Sequence, residues 1–167
     1  MVGISTYTYH PLVLMTGRFT VSGNLMRAEG SSGPLPKVIE LPSLEAVASS
    51  ANALSPIHRG VLRAPQFVQL HFHEKFPARD IADYCGLSRF QFSRSFHAVF
   101  GITFREYLLR FRILAACERL REGSLPVTEI AYAVGFHDGS YFARMFRRYT
   151  GMLPSQYARL HVELPRP

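Results

Sequence analysis

From about residue 65 to residue 159 the apolar positions recur every three or four residues, the interval that gathers side chains on one face of an α-helix. Before that no such rhythm holds, because SSGPLP (31–36), LPS (42–44) and scattered glycines interrupt it. The rhythmic stretch contains the same pattern twice. Ser88, Phe92, Arg94, Phe96 and Gly101 stand at the same mutual spacings as Asp138, Phe142, Arg144, Phe146 and Gly151. Ile81-Ala82 precedes Gly86 as Ile130-Ala131 precedes Gly135, and Tyr107 and Tyr157 follow the two closing glycines at equal distance. The chain therefore holds one unit twice, with a turn one residue longer in the second copy.

Each copy predicts a helix, a glycine turn and a second helix. Gly86 and Gly135, lacking a Cβ, suit the left-handed turn that ends the first of these helices. Ser88 then opens the second helix with Gln91 as a capping box, and Leu87 is placed to staple onto Phe92. On that helix Phe92, Phe96 and Val99 point one way, and Phe90, Ser93, Arg94 and His97 the other. The second copy turns Phe142, Met145, Phe146 and Tyr149 inward and Ser140, Ala143, Arg144 and Arg147 outward. Between the copies, residues 104–122 predict a linker helix of about 28 Å, with Thr103 and Glu106 as a second capping box and Gly123 as its end. Its apolar residues cover two faces, Phe104, Leu108, Phe111 and Ala115 on one and Leu109, Ile113, Ala116 and Leu120 on the other. A helix apolar on two sides is expected to pack against two bodies.

The first sixty residues allow short strands at 5–9 and 18–23 and a helix at 44–54. The expected organisation is a poorly structured segment over 1–60, flexible or the remnant of a sensing domain, followed by a helical domain over 64–164.

Charge sharpens this division. Residues 86–167 carry 12 Arg and 6 acidic groups (12 − 6 = +6), whereas residues 1–60 hold 4 basic and 3 acidic (4 − 3 = +1). Only Lys37 and Lys75 are lysines, and arginine suits phosphate because its planar fork donates two hydrogen bonds at once. A basic C-terminal half points to a polyanionic partner. The two cysteines, Cys85 and Cys117, read as small buried thiols rather than a disulfide scaffold. No apolar run is long enough for a membrane span and no leader pattern opens the chain, so a cytoplasmic, nucleoid-associated protein is expected, with no membrane partner.

No set of residues supports catalysis, a cofactor or a metal. His71 and His73 stand two apart and so fall on different sides of a helix. The doubled unit instead matches a helix-turn-helix, which presents the start of its second helix to the DNA major groove. In that reading Arg94 and Arg144 reach guanine edges, with Ser93, Ser140, Ala143 and His97 beside them and Phe90 suited to a thymine methyl or a sugar. Arg89, Arg112, Arg147 and Arg148 are the expected phosphate contacts, joined by Ser88 and Gly139 at helix starts.

The segments GLSRFQFSRSFHAVFGITFREYLLRFRILAACERL and PVTEIAYAVGFHDGSYFARMFRRYTGMLPSQYARL resemble the DNA-binding domain of the AraC/XylS family of bacterial transcription regulators. The resemblance implies an all-α, homeodomain-like fold: a seven-helix bundle of two helix-turn-helix subdomains joined by a long linker helix. It also implies binding to double-stranded promoter DNA, more often as an activator than as a repressor. Two departures stand out. HEKF (73–76) runs almost directly through PARD into IADYC, a shorter connection than family members usually have, and sixty N-terminal residues are too few for the usual cupin-like sensing barrel. The chain in this respect looks like the short stand-alone members or a truncated copy. Methyl-transfer repair proteins carry the same type of domain but need a reactive N-terminal cysteine cluster, and no cysteine precedes Cys85. The alternative reading is an interaction module that dimerises or binds RNA polymerase without reading DNA. The matched Arg94 and Arg144 favour DNA, bound by a monomer, since a protein interface has no need of the same cation at the same helical position twice.

Overall fold

The computed structural model describes residues 41–42 and 56–162. Helical structure starts earlier than the hydrophobic rhythm predicts. Pro56–Gly60, a 3-10 turn over Val61–Arg63 and Ala64–His71 follow one another without a break and form one rod, α1, residues 56–71. Val61 is fully buried, so this stretch packs into the helical body, although the sequence pattern groups its first residues with the N-terminal segment. There follow α2 (Ala78–Tyr84), α3 (Arg89–Phe100), α4 (Phe104–Glu122), α5 (Val127–Ala133), α6 (Gly139–Thr150) and α7 (Pro154–Val162). With α1 taken as one rod there are seven helices and no strand among the described residues, as the family resemblance implies. The candidate strands at 5–9 and 18–23 and the candidate helix at 44–54 lie outside the described residues.

Local hydrogen bonds explain where the helices begin. Ser88 Oγ accepts from the Gln91 amide at 3.3 Å while Gln91 Oε1 accepts from the Ser88 amide at 3.1 Å, so the expected capping box is complete. At Thr103 only half of the box forms. Thr103 Oγ1 accepts from the Glu106 amide at 3.2 Å, but the Glu106 carboxylate turns to Arg110, 2.6 Å away, because a guanidinium one turn on is a stronger partner than a neutral amide.

The two turns match bond for bond: the Leu87 amide donates to Ala82 O and the Phe136 amide to Ala131 O, both at 2.9 Å, around left-handed Gly86 and Gly135. The residue that lengthens the second turn is therefore His137, which is exposed.

One hydrophobic core runs through both units with α4 between them. Its early residues serve the first unit, where Phe104 lies 5.2 Å from Phe92 and Tyr107 lies 5.5 Å from Phe96, ring centre to ring centre. Further along, Ile113, Leu114, Ala116 and Leu120 are buried, and a side-chain hydrogen bond links Cys117 to Tyr157 of α7. Both faces of the linker are covered, as its two apolar stripes predict. The short connection after α1 does not prevent docking: Phe67 packs 5.0 Å from Phe76 and 5.2 Å from Tyr84, whose hydroxyl donates to Gln66 Oε1 at 3.1 Å.

Both thiols are free and buried. Burial pushes Cys85 up to about 11, with Arg63 opposing, and Cys117 up to about 12, with the Tyr157 bond opposing. Both are protonated and inert at neutral pH.

Candidate nucleic-acid interface

Two helices of equal length carry the outward residues, and each is held from both ends. α3 and α6 begin at a side-chain cap, Ser88 and Asp138, and end at a left-handed glycine, Gly101 and Gly151. Their inner faces are locked by Phe92 and Phe96 in one and by Phe142 and Phe146 in the other, each at most 3% exposed. The outer faces are thereby fixed in direction.

On α3 the outer face brings together Phe90, Ser93, Arg94 and His97, all exposed. Phe90 is 68% exposed, and the Arg94 guanidinium carbon stands 5.3 Å from its ring centre. Such a stack is worth about 0.5–1 kcal/mol at an exposed site, enough to favour one arginine rotamer without holding it rigidly. On α6 Ser140, Arg144 and Arg147 are exposed and Ala143 is half-buried. Arg144 leans over Tyr141 at 5.9 Å, an aromatic partner that the repeat spacing does not single out. The signal for it is the arginine one turn further along the same helix.

Arg89, Arg94, Arg144, Arg147 and Arg148 are all exposed, and among the described residues none of them is ion-paired. By contrast Arg110 and Arg121 on α4 each lie 2.6 Å from a glutamate, Glu106 and Glu118. Five unpaired cations thus lie on the two outward helices, whereas the linker neutralises Arg110 and Arg121 internally. No helix among the described residues is long and apolar enough to cross a membrane, and no group of three metal-ligating side chains occurs among them.

At two of the expected contacts the structure shows competing partners. Arg112 is half-buried, and its guanidinium is committed within the chain: Nε donates to Phe72 O at 2.7 Å and a terminal nitrogen to Glu74 O at 2.9 Å. Hydrogen bonds from a charged donor contribute about 1.5–3 kcal/mol each, so a phosphate would have to displace two of them. Gly139 has open space where a Cβ would stand, but the helix start beside it is occupied by a carboxylate, since Asp138 Oδ1 accepts from the Tyr141 amide at 2.6 Å. That negative charge opposes a phosphate at α6, whereas neutral Ser88 leaves the start of α3 suited to one.

A helix-turn-helix domain model matches residues 81–160. The chain is similar to the MmsAB operon regulatory protein of Pseudomonas aeruginosa, 29% identical over 118 residues, which are 71% of this chain and 36% of that protein. It is also similar to the bifunctional transcriptional activator/DNA repair enzyme AdaA of Bacillus subtilis, 30% identical over 57% of this chain and 45% of that protein. The chain thus spans less than half the length of either relative. Among solved structures, the C-terminal domain of AraT, a response regulator from Geobacillus stearothermophilus, is 35% identical with a TM-score of 0.57, covering 64% of this chain and 87% of that one. The DNA-binding domain of AdpA in complex with a target DNA is 27% identical with a TM-score of 0.57, covering 60% of this chain and 91% of that one. The doubled unit seen in the sequence and the helices that realise it agree with these likenesses, and the chain belongs to the AraC family by its helix-turn-helix domain.

Proposed function

We propose that the chain is a sequence-specific transcription regulator that reads two adjacent major-groove segments with α3 and α6. One observation carries this reading: an exposed arginine, unpaired among the described residues, occurs at the same offset on two helices of one continuous body, Arg94 and Arg144. In this reading those arginines take guanine O6 and N7, with Ser93, His97, Ser140 and Ala143 beside them. Arg89, Arg147 and Arg148 bind phosphate, with the start of α3 at Ser88 as a further anion site. Phe90 serves Arg94 first, as its stacking platform, and any thymine methyl second. Arg112 leaves the phosphate set, and Gly139 contributes only space.

A binding isotherm on promoter fragments, repeated across salt concentrations, tests the reading. A specific site should be favoured over scrambled DNA, and the affinity for both should fall as salt rises, since phosphate contacts release counterions. Equal affinity for the specific and scrambled sequences would leave a basic surface without readout.

A further inference from the structure

The turn of the second unit touches the first unit. Gly135 has a φ of 89°, and a Cβ built there would stand 2.8 Å from the carbonyl oxygen of Phe72 and 3.0 Å from Nε and Cζ of Arg112. Phe72 closes α1, so the backbone of the first unit's leading helix lies directly against the second unit's turn. The Arg112 side chain reaches from the linker into this corner and donates to both Phe72 O and Glu74 O. These carbonyls follow the C-terminal end of α1, where unpaired acceptors and the negative end of the helix dipole favour a cation. Three elements thus meet at one guanidinium: the end of α1, the middle of α4 and the turn before α6.

The contact is polar and stands beside the apolar core that the two units share. A guanidinium also suits the corner better than an ammonium does, since its planar fork meets two acceptors in a fixed geometry. We propose that Arg112 sets the relative position of the two recognition helices and so determines which separation of half-sites the protein accepts, although it touches no base. The inference rests on the two-headed reading above. Inserting or removing one base pair shifts a half-site by about 3.4 Å and rotates it by about 35°. A body held at this corner rejects such a change, and a body released from it tolerates it.

The test uses the full chain and DNA duplexes carrying both half-sites, selected from random sequence with the unaltered protein. The spacer is then varied by one and two base pairs in each direction. The unaltered protein should show a sharp optimum. Arg112→Met should flatten the profile, losing about fivefold or more at the optimum while binding the shifted spacers no worse, a change within the range of couplings carried through packed networks. Arg112→Gln is measured beside it, so that one folded variant suffices, and it should flatten the profile likewise. A profile that keeps its shape in these variants, whether at full affinity or lowered equally at every spacing, overturns the proposal and leaves Arg112 a stabilising residue only. If the unaltered protein binds a single half-site as tightly as the pair, two-headed reading itself fails, and this inference fails with it.

Discussion

Arg94 and Arg144 present the same cation against different neighbours, with Phe90 beneath one and Tyr141 beneath the other. Their equivalence in the sequence is thus a matter of position, and in the proposed reading the surrounding face sets the base preference of each. Arg144→Ala should weaken binding to a specific site by about 1–3 kcal/mol and barely change the affinity for scrambled DNA. Arg147→Ala should weaken both alike and reduce the salt slope by about 1. Titrations of the two variants on matched and scrambled duplexes separate these roles; identical behaviour would refute the division. Ser88→Ala removes a cap that the structure shows closed from both sides, and should lower stability by about 1 kcal/mol in denaturant titration.

Among the elements, the linker carries the most information. Ala116 is fully buried in the middle of α4. Replacing it with Glu would place a charge in the core, and Ala116→Glu should cost at least ~3 kcal/mol of stability. An unchanged melting temperature would mean that this face is open. The pairing of α2 with α3 and of α5 with α6 was legible from spacing alone, because caps, glycines and apolar periodicity agree in both copies. The start of α1 was not legible, since its first turn contains a proline and a glycine and its 3-10 segment breaks the helical period. The engagement of Arg112 within the chain was not legible for a related reason. An arginine on a helix looks solvated until the helix end that it caps, forty residues earlier, is known to lie beside it. The Glu106 side chain followed the same logic on a shorter scale, with Arg110 outcompeting the predicted amide.

For the whole molecule, the proposed reading by two helices in the same chain order makes a palindrome unnecessary. The outward faces of α3 and α6 differ, so the preferred site should be asymmetric, about two DNA turns long and bound at one protein per duplex. Selection from random DNA, followed by a stoichiometric titration, checks this, and a symmetric palindrome bound only by a dimer would refute it. Stability should also fall at alkaline pH. The folded chain keeps its thiol protons up to about 11 and 12, whereas an unfolded cysteine loses its proton near 8.5. A raised folded value favours the protonated form, so this contribution is complete below about pH 8.5 and is lost as pH rises toward the folded values. Urea midpoints at pH 7.5 and 9.5 would show it. The same burial has a kinetic consequence. Cys85 ends the first helix of one unit and Cys117 is tied to α7 of the other, so each can be alkylated only when its own surroundings open. Their labelling rates are two separate clocks on opening, one in each unit, built into the native chain without a probe. Because one core joins the units, the two clocks should run together at every urea concentration below the transition, and mass spectrometry of the two peptides would reveal a first unit that loosens by itself.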